Sequence, residues 1–475
     1  MNLGYVLGAL LPLLFGTGVW TAFAGMPQRR AELCAMLGYG GLLGLCAAGL
    51  LVGLVRPDAT TRLLPGFGPV LAAGAALLWF IASRRGDSPA ARVPTPLGRL
   101  PRWVAIVALV LLAGRAVFLI EEVLLRPVFP WDAWWVWAAR AKAWFLGGHF
   151  DAVVPPERWL DAGGEPLRIT LAYTYPELVS WIELWLAAAN GAWNEPLIHL
   201  AWVALWIGLL LGLYGQWRLL GVARREAALA VYALGSLPLL DVHVALAGYV
   251  DLWSAMAFAF ATTSWLRWIE QRDRGQLGLA IVLVLLMPLL KFEGLVWGAS
   301  LAGLMALAAT PRRYRLRGLA ALAAGGGLLV LASAWLDLAW VRVARDLLSG
   351  ASGGHAVSWG GIVRAIGSGM FVQYNWHLLW YALPIVLLWR RRQIAARPAL
   401  RYATWLLLSG FAFMFALFFL TPAAKWAESY TAINRLLLQM VPLAITLGLL
   451  ALRDPVAPPA LADTADPSTR PSAPG

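Results

Sequence analysis

Long apolar stretches separated by short, arginine-bearing segments run through most of this 475-residue chain. No stretch alternates apolar and polar positions as the strands of a membrane barrel do, so the pattern predicts helices. About thirteen stretches are apolar enough to be read as spans, a full crossing needing ~20 residues. They cover approximately 3–24, 32–55, 67–83, 103–123, 196–217, 228–247, 250–268, 276–290, 294–310, 318–340, 375–389, 402–420 and 433–452. The sequence therefore predicts an all-α, polytopic membrane protein.

The composition supports this class, because 60% of the residues are hydrophobic and only 13% are charged. A soluble domain could not bury that much apolar surface. The first span lacks a basic segment before it and is followed by further spans, so we expect it to be retained as an anchor. Cys34 and Cys46 fall in one apolar stretch. This placement favours neither a disulfide framework nor a metal site.

The basic residues predict the orientation in the membrane. One set of connecting segments carries 24 of the 38 lysines and arginines, the opposite set carries 13 although its loops are longer, and Arg115 lies within a span. The richer set comprises 25–31, 84–102, 218–227, 267–275, 311–317, 390–401 and the tail from 453. Since cytoplasmic loops are enriched in Lys and Arg, this set and the C-terminus are predicted to be cytoplasmic. The net charge of +13 is thus attributed to membrane anchoring, and no nucleic-acid partner is expected.

Three regions on the far side, periplasmic in a bacterium, are too long to be simple connectors: 124–195, 341–374 and 421–435. The apolar part of the first, 177–190, is short for a span and is interpreted as re-entrant or interfacial. The second is rich in glycine around SGASGGHAVSWGG, which predicts mobility. The tail from Pro455 is rich in Pro, Ala, Ser and Thr, which predicts disorder.

The segment RPVFPWDAWWVWAARAKAW, residues 126–144, is neither apolar enough to span a bilayer nor polar enough for an ordinary loop. Pro130 precedes it, Asp132 stands where a helix N-cap is expected, and Gly147–Gly148 provide an end. The predicted helix carries four tryptophans, at 134, 135, 137 and 144, which suit the membrane–water boundary, where an indole is partly dry and partly hydrated. We therefore predict an interfacial helix that holds Asp132 at a fixed depth.

Ionisable groups near hydrocarbon are costly and serve as candidates for function. The predicted far side carries five at the ends of spans: Asp132, Asp251, Lys291, Glu293 and Arg435. Each has a purely structural alternative: helix capping for the two aspartates, a local ion pair for Lys291 with Glu293, and snorkelling for Arg435. Lysine occurs only at 142, 291 and 425, all on the far side, where a compact cation suits a phosphate.

The sequence contains no pattern typical of zinc binding or of nucleotide binding. The five histidines, at 149, 199, 243, 355 and 377, lack the spacing of a zinc site, and no Walker or dinucleotide fingerprint is present.

Four motifs resemble the GT-C superfamily of membrane glycosyltransferases, in particular the branch that contains protein O-mannosyltransferases and the lipid A aminoarabinose transferase. FPWDAWWVWAARAKAW is similar to the acidic motif of the first external loop, and GYVDLWSA to the segment with the second external acid. TYPELVSWIELWLAAANGAWNEP resembles the His-Pro-Pro-Leu region, here with Thr174-Tyr175-Pro176. LLKFEG and NRLLLQMVP resemble later external elements. The similarity covers about 103–452, and three spans precede the acidic loop where family members usually have one.

The resemblance implies a three-span accessory region over 1–102, a catalytic domain over 103–452 with those external loops, and a cytoplasmic tail over 453–475. It implies inverting transfer of a sugar from a polyprenyl-phosphate donor to an envelope lipid, glycan or protein at the periplasmic face of the inner membrane. Asp132 would be the base, and Asp251 would orient the acceptor or share a divalent cation, Mg or Mn, with it. The proposed phosphate ligands are Lys291, Arg435, Arg140 and Lys142. The residues proposed to bind the acceptor or to support the loop are Tyr175, Glu177 and Glu293.

Two alternatives belong to other classes. A transporter or flippase for a lipid-linked or anionic solute would place charges within the spans, where Arg115 is nearly alone, and would favour inverted repeats, which are not evident. A non-enzymatic scaffold of an envelope assembly would tolerate neutral residues at 132 and 251. An O-antigen ligase-like enzyme is an alternative within glycosyl transfer.

Overall fold

The computed structural model describes residues 2–57, 60, 62–84, 100–161, 163–164, 167–170, 172–349 and 358–453. Over these residues the chain is helical, and the only β pairing is an isolated bridge between Val153 and Arg168. The predicted all-α class is therefore confirmed. The glycine-rich segment SGASGGHAVSWGG, predicted to be mobile, covers 349–361, of which 350–357 lie outside the described residues and 359–361 are helical. The tail from Pro455, predicted to be disordered, also lies outside the described residues.

The helices are numbered in chain order. They are α1 (Leu3–Ala24), α2 (Arg30–Val55), α3 (Leu63–Ser83), α4 (Arg102–Leu125), α5 (Trp131–Trp135), α6 (Trp137–Gly147), α7 (Pro156–Leu160), α8 (Leu178–Asn190), α9 (Glu195–Leu219), α10 (Arg224–Gly235), α11 (Pro238–Ala245), α12 (Asp251–Gln271), α13 (Arg274–Leu290), α14 (Phe292–Ala309), α15 (Arg315–Trp335), α16 (Ala339–Ser349), α17 (Trp359–Gly367), α18 (Leu379–Trp389), α19 (Arg391–Ala396), α20 (Pro398–Leu420), α21 (Ala424–Glu428) and α22 (Ile433–Ala451).

Within the described part of the chain, nine helices are long and apolar enough to cross a membrane: α1, α2, α3, α4, α9, α14, α15, α20 and α22. The pair α10–α11, bent by 62°, would add a tenth. This identifies a multi-pass membrane protein. Thirteen spans remain a prediction, because α13 and α18 are shorter and α12 carries Asp251 and Arg267 near its ends and hydroxyl side chains at 254 and 262–264.

Helix α12 forms the centre of the bundle. Every residue from Asp251 to Trp268 is buried, and α9, α13, α14, α20 and α22 pack around it. A helix buried on all sides is shielded from lipid, so it can carry hydroxyl and charged groups that a lipid-facing helix cannot. At 21 residues it extends for ~30 Å, about the thickness of a hydrocarbon core.

The N-terminal helices pack closely on this bundle. A Cβ atom on Gly44 of α2 would lie 1.8 Å from the carbonyl oxygen of Pro12 in α1, and one on Gly38 would lie 2.3 Å from that of Gly208 in α9. Only glycine permits such backbone approach, which is a common way for membrane helices to associate. Residues 1–102, predicted as an accessory region, thus contact the remainder of the bundle directly, through α2 on α9 and through α1, α2 and α3 on α8.

The tryptophan-rich segment differs from its prediction in two ways. Its helix begins at Trp131 after an N-cap at Pro130, so Asp132 lies in the first turn and is not the N-cap. The helix also breaks at Val136, into α5 and α6. Trp137 and Trp144 are buried in the protein, so these two indoles fill the core instead of marking a boundary with lipid. The predicted end at Gly147–Gly148 is confirmed.

Helix α8 corresponds to the short apolar stretch of the first far-side region. It has 13 residues and is almost entirely buried, against α1, α2 and α6. At ~20 Å it is too short for a full crossing. This length agrees with the prediction that 177–190 is not a complete span.

Candidate functional site

Four helix N-termini, those of α5, α12, α14 and α22, meet in one charged cluster. Asp132, Asp251 and Glu293 lie in the first turns of α5, α12 and α14. Arg435 lies in the first turn of α22, and Lys291 immediately precedes α14. Acidic side chains are favoured in a first turn, where unpaired backbone N–H groups carry partial positive charge. The structure thus brings together five residues that are up to 303 positions apart in the chain.

Asp251 is the buried centre of the cluster. Its side chain has no exposed surface. Oδ1 accepts hydrogen bonds from Nζ of Lys291 at 2.9 Å and from Nε2 of Gln439 at 2.8 Å, and Oδ2 accepts one from Nε of Arg435 at 2.8 Å. A buried carboxylate needs such partners to remain ionised. Asp251 is therefore a fixed counter-ion that positions two cations.

Arg435 joins the two aspartates. Its Nη2 lies 2.5 Å from Oδ2 of Asp132 and 2.8 Å from Oδ2 of Asp251. The guanidinium also lies over the ring of Tyr249, 4.8 Å from the centroid. The side chains of Arg435 and Asp132 are 22% and 23% exposed, so this pair forms the accessible edge of the cluster. Snorkelling does not describe Arg435, because two carboxylates hold its head group.

Lys291 and Glu293 complete the cluster. Nζ of Lys291 lies 3.0 Å from Oε1 of Glu293 as well as close to Asp251. The predicted local ion pair is therefore present, as part of a larger network. Oε2 of Glu293 is buried and makes no hydrogen bond with the residues that the structure describes. The five charged groups comprise three acids and two bases, so the cluster has one excess negative charge when all are ionised.

Tyr175 lies beside the cluster on the loop before α8. Its ring packs against Phe292 at 5.0 Å and against Trp137 at 5.8 Å. Burial raises the pKa of Tyr175 to about 12, so its hydroxyl stays protonated at neutral pH. Tyr175 can therefore donate a hydrogen bond towards the site.

Arg140 supports the loop that carries Tyr175. It is completely buried, and its Nη atoms donate to the carbonyl oxygens of Ala172, Tyr173 and Tyr175 at 3.0–3.1 Å. Burial lowers the pKa of Arg140, while the charge of Glu177 opposes that shift. Satisfying several loop carbonyls is a common role for a planar guanidinium. The structure therefore places Arg140 behind the loop, where it does not face an external ligand.

Glu177 and Lys142 form contacts of their own. Glu177 pairs with Arg56 at 3.0 Å and lies 3.8 Å from Arg140. Lys142 pairs with Glu195 at 2.9 Å. These pairs link α2 and α6 to the ends of α8 and α9, and neither residue makes a contact with the charged cluster within the described part of the chain.

Three polar residues of the site were not singled out by the sequence reasoning. Gln439 is one turn after Arg435 on α22, so i, i+4 spacing of polar residues in an apolar span could have indicated it. Tyr249 precedes Asp251 by two residues, and His243 packs on its ring at 5.1 Å. Their sequence contexts resemble those of ordinary interfacial residues, and no local signal distinguishes them.

The geometry does not suit a divalent cation shared by Asp132 and Asp251. A guanidinium already lies between the two carboxylates, and both oxygens of Asp251 accept hydrogen bonds from basic or amide groups. Within the described ranges no group of three or more His, Cys, Asp or Glu side chains is arranged to hold a metal ion. The guanidinium of Arg435 therefore occupies the position between the two carboxylates where a shared cation would bind.

An apolar groove opens between α10, α18 and α22. It encloses about 680 Å³ and is lined by residues that include Ala233, Ala382 and Gly448. Gly448 lies on the same helix as Arg435, 13 residues further on, or ~20 Å along the axis. The charged cluster and the groove therefore lie at different positions along the same helix, α22.

Comparison of the chain with protein-family models, with curated proteins and with solved structures finds no match.

Proposed function

We propose that this protein is an inverting membrane glycosyltransferase that moves a sugar from a polyprenyl-phosphate carrier to an acceptor of the cell envelope. The observation that carries the proposal is the charged cluster. It combines a partly exposed carboxylate, Asp132, with a guanidinium, Arg435, that is fixed from behind by the buried Asp251. A base beside a cation is the arrangement that transfer from a glycosyl phosphate requires.

In the proposed reaction, Asp132 takes the proton of an acceptor hydroxyl while the oxygen of that hydroxyl attacks the anomeric carbon of the donor sugar. The bond from that carbon to the phosphate oxygen breaks, and the electron pair leaves with the phosphate. The departing group gains one negative charge, which Arg435 stabilises through its planar fork and Lys291 through its charge. Because the donor is already activated, this reaction needs no nucleotide.

The apolar groove supports a lipid-linked donor. A phosphate at Arg435 would have the groove between α10, α18 and α22 below it, within the depth of the membrane. We propose that part of the polyprenyl chain lies there, because an apolar chain is favoured in an apolar cleft.

We further propose that the cluster faces away from the cytoplasm. The support is the 24-to-13 distribution of basic residues between the two sets of loops. A single cysteine at position 151, in a chain whose Cys34 and Cys46 are replaced by alanine, should react with an impermeant thiol reagent in intact cells. Labelling at position 151 only after lysis would show that the cluster faces the cytoplasm.

One observation favours a transporter instead. Arg115 of α4 forms an ion pair with Asp241 of α11 away from the cluster, and charged pairs within spans are typical of transport pathways. The two functions differ in their chemistry, because a transporter moves its lipid-linked solute without breaking the glycosidic bond.

Deletion of the gene, followed by mass spectrometry of envelope glycans and lipids, tests the proposal. We expect one sugar to disappear from an envelope component and its polyprenyl-phosphate form to accumulate. Re-expression of the wild type or of Asp151→Asn should restore the sugar, whereas Asp132→Asn should not. Asp151 is a matched control because it is an exposed acid of the same external region. An unchanged envelope, or restoration by Asp132→Asn, would contradict the proposal.

A further inference from the structure

The two acids that hold Arg435 differ in how firmly they are held. Asp251 is fully buried and accepts from three side chains, those of Lys291, Arg435 and Gln439. Asp132 is partly exposed and contacts the cluster through Nη2 of Arg435. Moving Asp251 away from its three partners would leave its own charge buried without compensation, which is strongly unfavourable. Asp132 can exchange its contact for water at much smaller cost.

The segment that carries Asp132 is also weakly held. Helix α5 has five residues, Trp131–Trp135. The next residue, Val136, has a φ of −128° and a ψ of −83°, which interrupt the helix. Of its side chains only Ala133 is buried, and Trp131 and Trp134 are more than half exposed. A short, mostly exposed helix with a break beside it can shift without disturbing the core.

Asp132 occupies the accessible edge of the guanidinium. Nε and one side of Nη2 face Asp251, and one face of the group lies over Tyr249. The contact with Asp132 therefore lies at the part of Arg435 that an incoming ligand can reach. Carboxylate and phosphate oxygens bind the same guanidinium fork, so the two compete for it.

The charge of the cluster makes this competition necessary. With three acids and two bases it has an excess negative charge, and an anionic donor would be repelled while Asp132 stays in place. The repulsion falls if the phosphate takes the position of Asp132 on Arg435 and Asp132 moves towards the acceptor.

We propose that Oδ2 of Asp132 marks the subsite of the donor phosphate, and that the phosphate must displace Asp132 from Arg435 before Asp132 can act as the base. This inference rests on the proposed function and adds an order to it. The lipid phosphate binds first, and its binding releases the carboxylate that activates the acceptor. Without donor, the base remains paired with Arg435 and does not deprotonate an acceptor.

The exchange predicts opposite effects of one substitution on binding and on turnover. Asp132→Asn removes the competing negative charge, so binding of undecaprenyl phosphate, the product that retains the phosphate, should become tighter. A unit charge lost at 5–6 Å in a partly hydrated site corresponds to about ten- to hundred-fold in affinity. The same variant should lose transfer, because an amide does not accept the proton.

The experiment measures the dissociation constant of undecaprenyl phosphate for the full chain in lipid nanodiscs, with titration of the lipid followed by tryptophan fluorescence. We expect Asp132→Asn and Asp132→Ala to bind more tightly than the wild type, and Asp151→Asn to bind equally. The double variant Asp132→Asn/Arg435→Ala should lose the gain. Thermal unfolding in the same nanodiscs verifies that each variant is folded.

The outcomes separate the exchange from the function. Equal or weaker binding by both folded Asp132 variants, in a protein that otherwise binds the lipid and transfers sugar, would overturn the exchange alone. A wild type that does not bind undecaprenyl phosphate at all would overturn the proposed function with it. Persistence of the gain in the double variant would show that Arg435 is not the group for which the two anions compete.

Discussion

The two ends of α12 both hold buried charge, and they differ in how that charge is surrounded. At the end opposite Asp251, Arg267 pairs with Asp273 at 3.1 Å, and both side chains are less than a tenth exposed. Gln216 lies beside Arg267, and its amide donates to the hydroxyl of Tyr39. The charges at this end are matched, because Arg267 and Asp273 are enclosed by neutral hydrogen-bonding groups and by a second matched pair, Arg29 with Glu32.

The Asp251 end is neither balanced nor enclosed. It has one more acid than base, and Asp132 and Arg435 reach the surface. A buried ion pair that is complete mainly stabilises one packing of the helices, whereas an incomplete one can accept a further charged group. Burial and charge by themselves therefore do not distinguish a functional site on this helix. The features that distinguish the Asp251 end are its excess negative charge and the solvent exposure of Asp132 and Arg435.

The largest effect is expected for Asp132→Asn. Transfer should fall by about 10²–10⁴, because the amide cannot take up the proton. Unfolding should change by less than about 1 kcal/mol, since the lost ion pair is partly exposed and Arg435 keeps its contact with Asp251. A transfer assay with purified protein and a thermal unfolding curve measure the two quantities.

The matched substitution Asp151→Asn should leave both the rate and the stability unchanged. A normal rate in Asp132→Asn would instead make Asp132 a structural residue, and would remove the distinction between the two ends of α12.

The opposite pattern is expected for Arg267→Met. The substitution leaves Asp273 without its buried partner, which should lower the free energy of unfolding by about 3–5 kcal/mol. The transfer rate per folded molecule should stay within a factor of two of the wild type, because Arg267 is ~24 Å from Asp251 along the helix. Denaturant titration with a parallel activity measurement tests this. A tenfold loss of rate in the folded variant would show that the two ends are coupled.

A third substitution addresses the cation of the open end. Arg435→Ala should weaken the binding of undecaprenyl phosphate by about ten- to hundred-fold, which corresponds to the loss of a charge-assisted contact. Arg435→Lys should weaken it less, because the charge remains while the planar fork is lost. Titration of the lipid into nanodiscs measures both affinities. Equal affinities for the wild type and Arg435→Ala would exclude Arg435 from the phosphate subsite.

The smallest effect is expected in the apolar groove. Ala233→Trp would fill part of it from an exposed position and should weaken the binding of undecaprenyl phosphate several-fold. A water-soluble phosphate with a short prenyl chain should be unaffected, since it would not reach the groove. Ala73→Trp, at an exposed position of α3, is the matched control. If both tryptophan variants bind the long-chain lipid equally well, the groove is not its site.

Much of the architecture is predictable from local pattern. Apolar stretches of span length predicted the helical membrane class, because backbone groups in lipid must be paired within a helix. The short stretch at 177–190 and the end at Gly147–Gly148 were also predictable, from length and from glycine at a helix terminus. The five charged residues of the cluster were identifiable as candidates because each is an expensive group next to an apolar span.

Other features have no local signature. Asp132 looked like a helix cap, but its helix starts one residue earlier and its carboxylate is held by Arg435 from 303 positions away. Arg140 looked like a phosphate ligand, yet it is enclosed by the loop that it supports. Trp137 and Trp144 looked interfacial and are buried. In each case the partner comes from a distant part of the chain.

The sequence by itself determined that this chain forms apolar helices of membrane length and that a few charged groups stand at their ends. Those properties depend on the transfer of each residue between water and lipid, and that is a local quantity. Only the tertiary structure decided that α12 is shielded on all sides, that Asp251 is fully buried while Asp132 is accessible, and that Arg435 joins them. The physical reason is that an ion's role depends on which charges surround it and how much water reaches it, and both follow from the packing of helices that lie far apart in sequence.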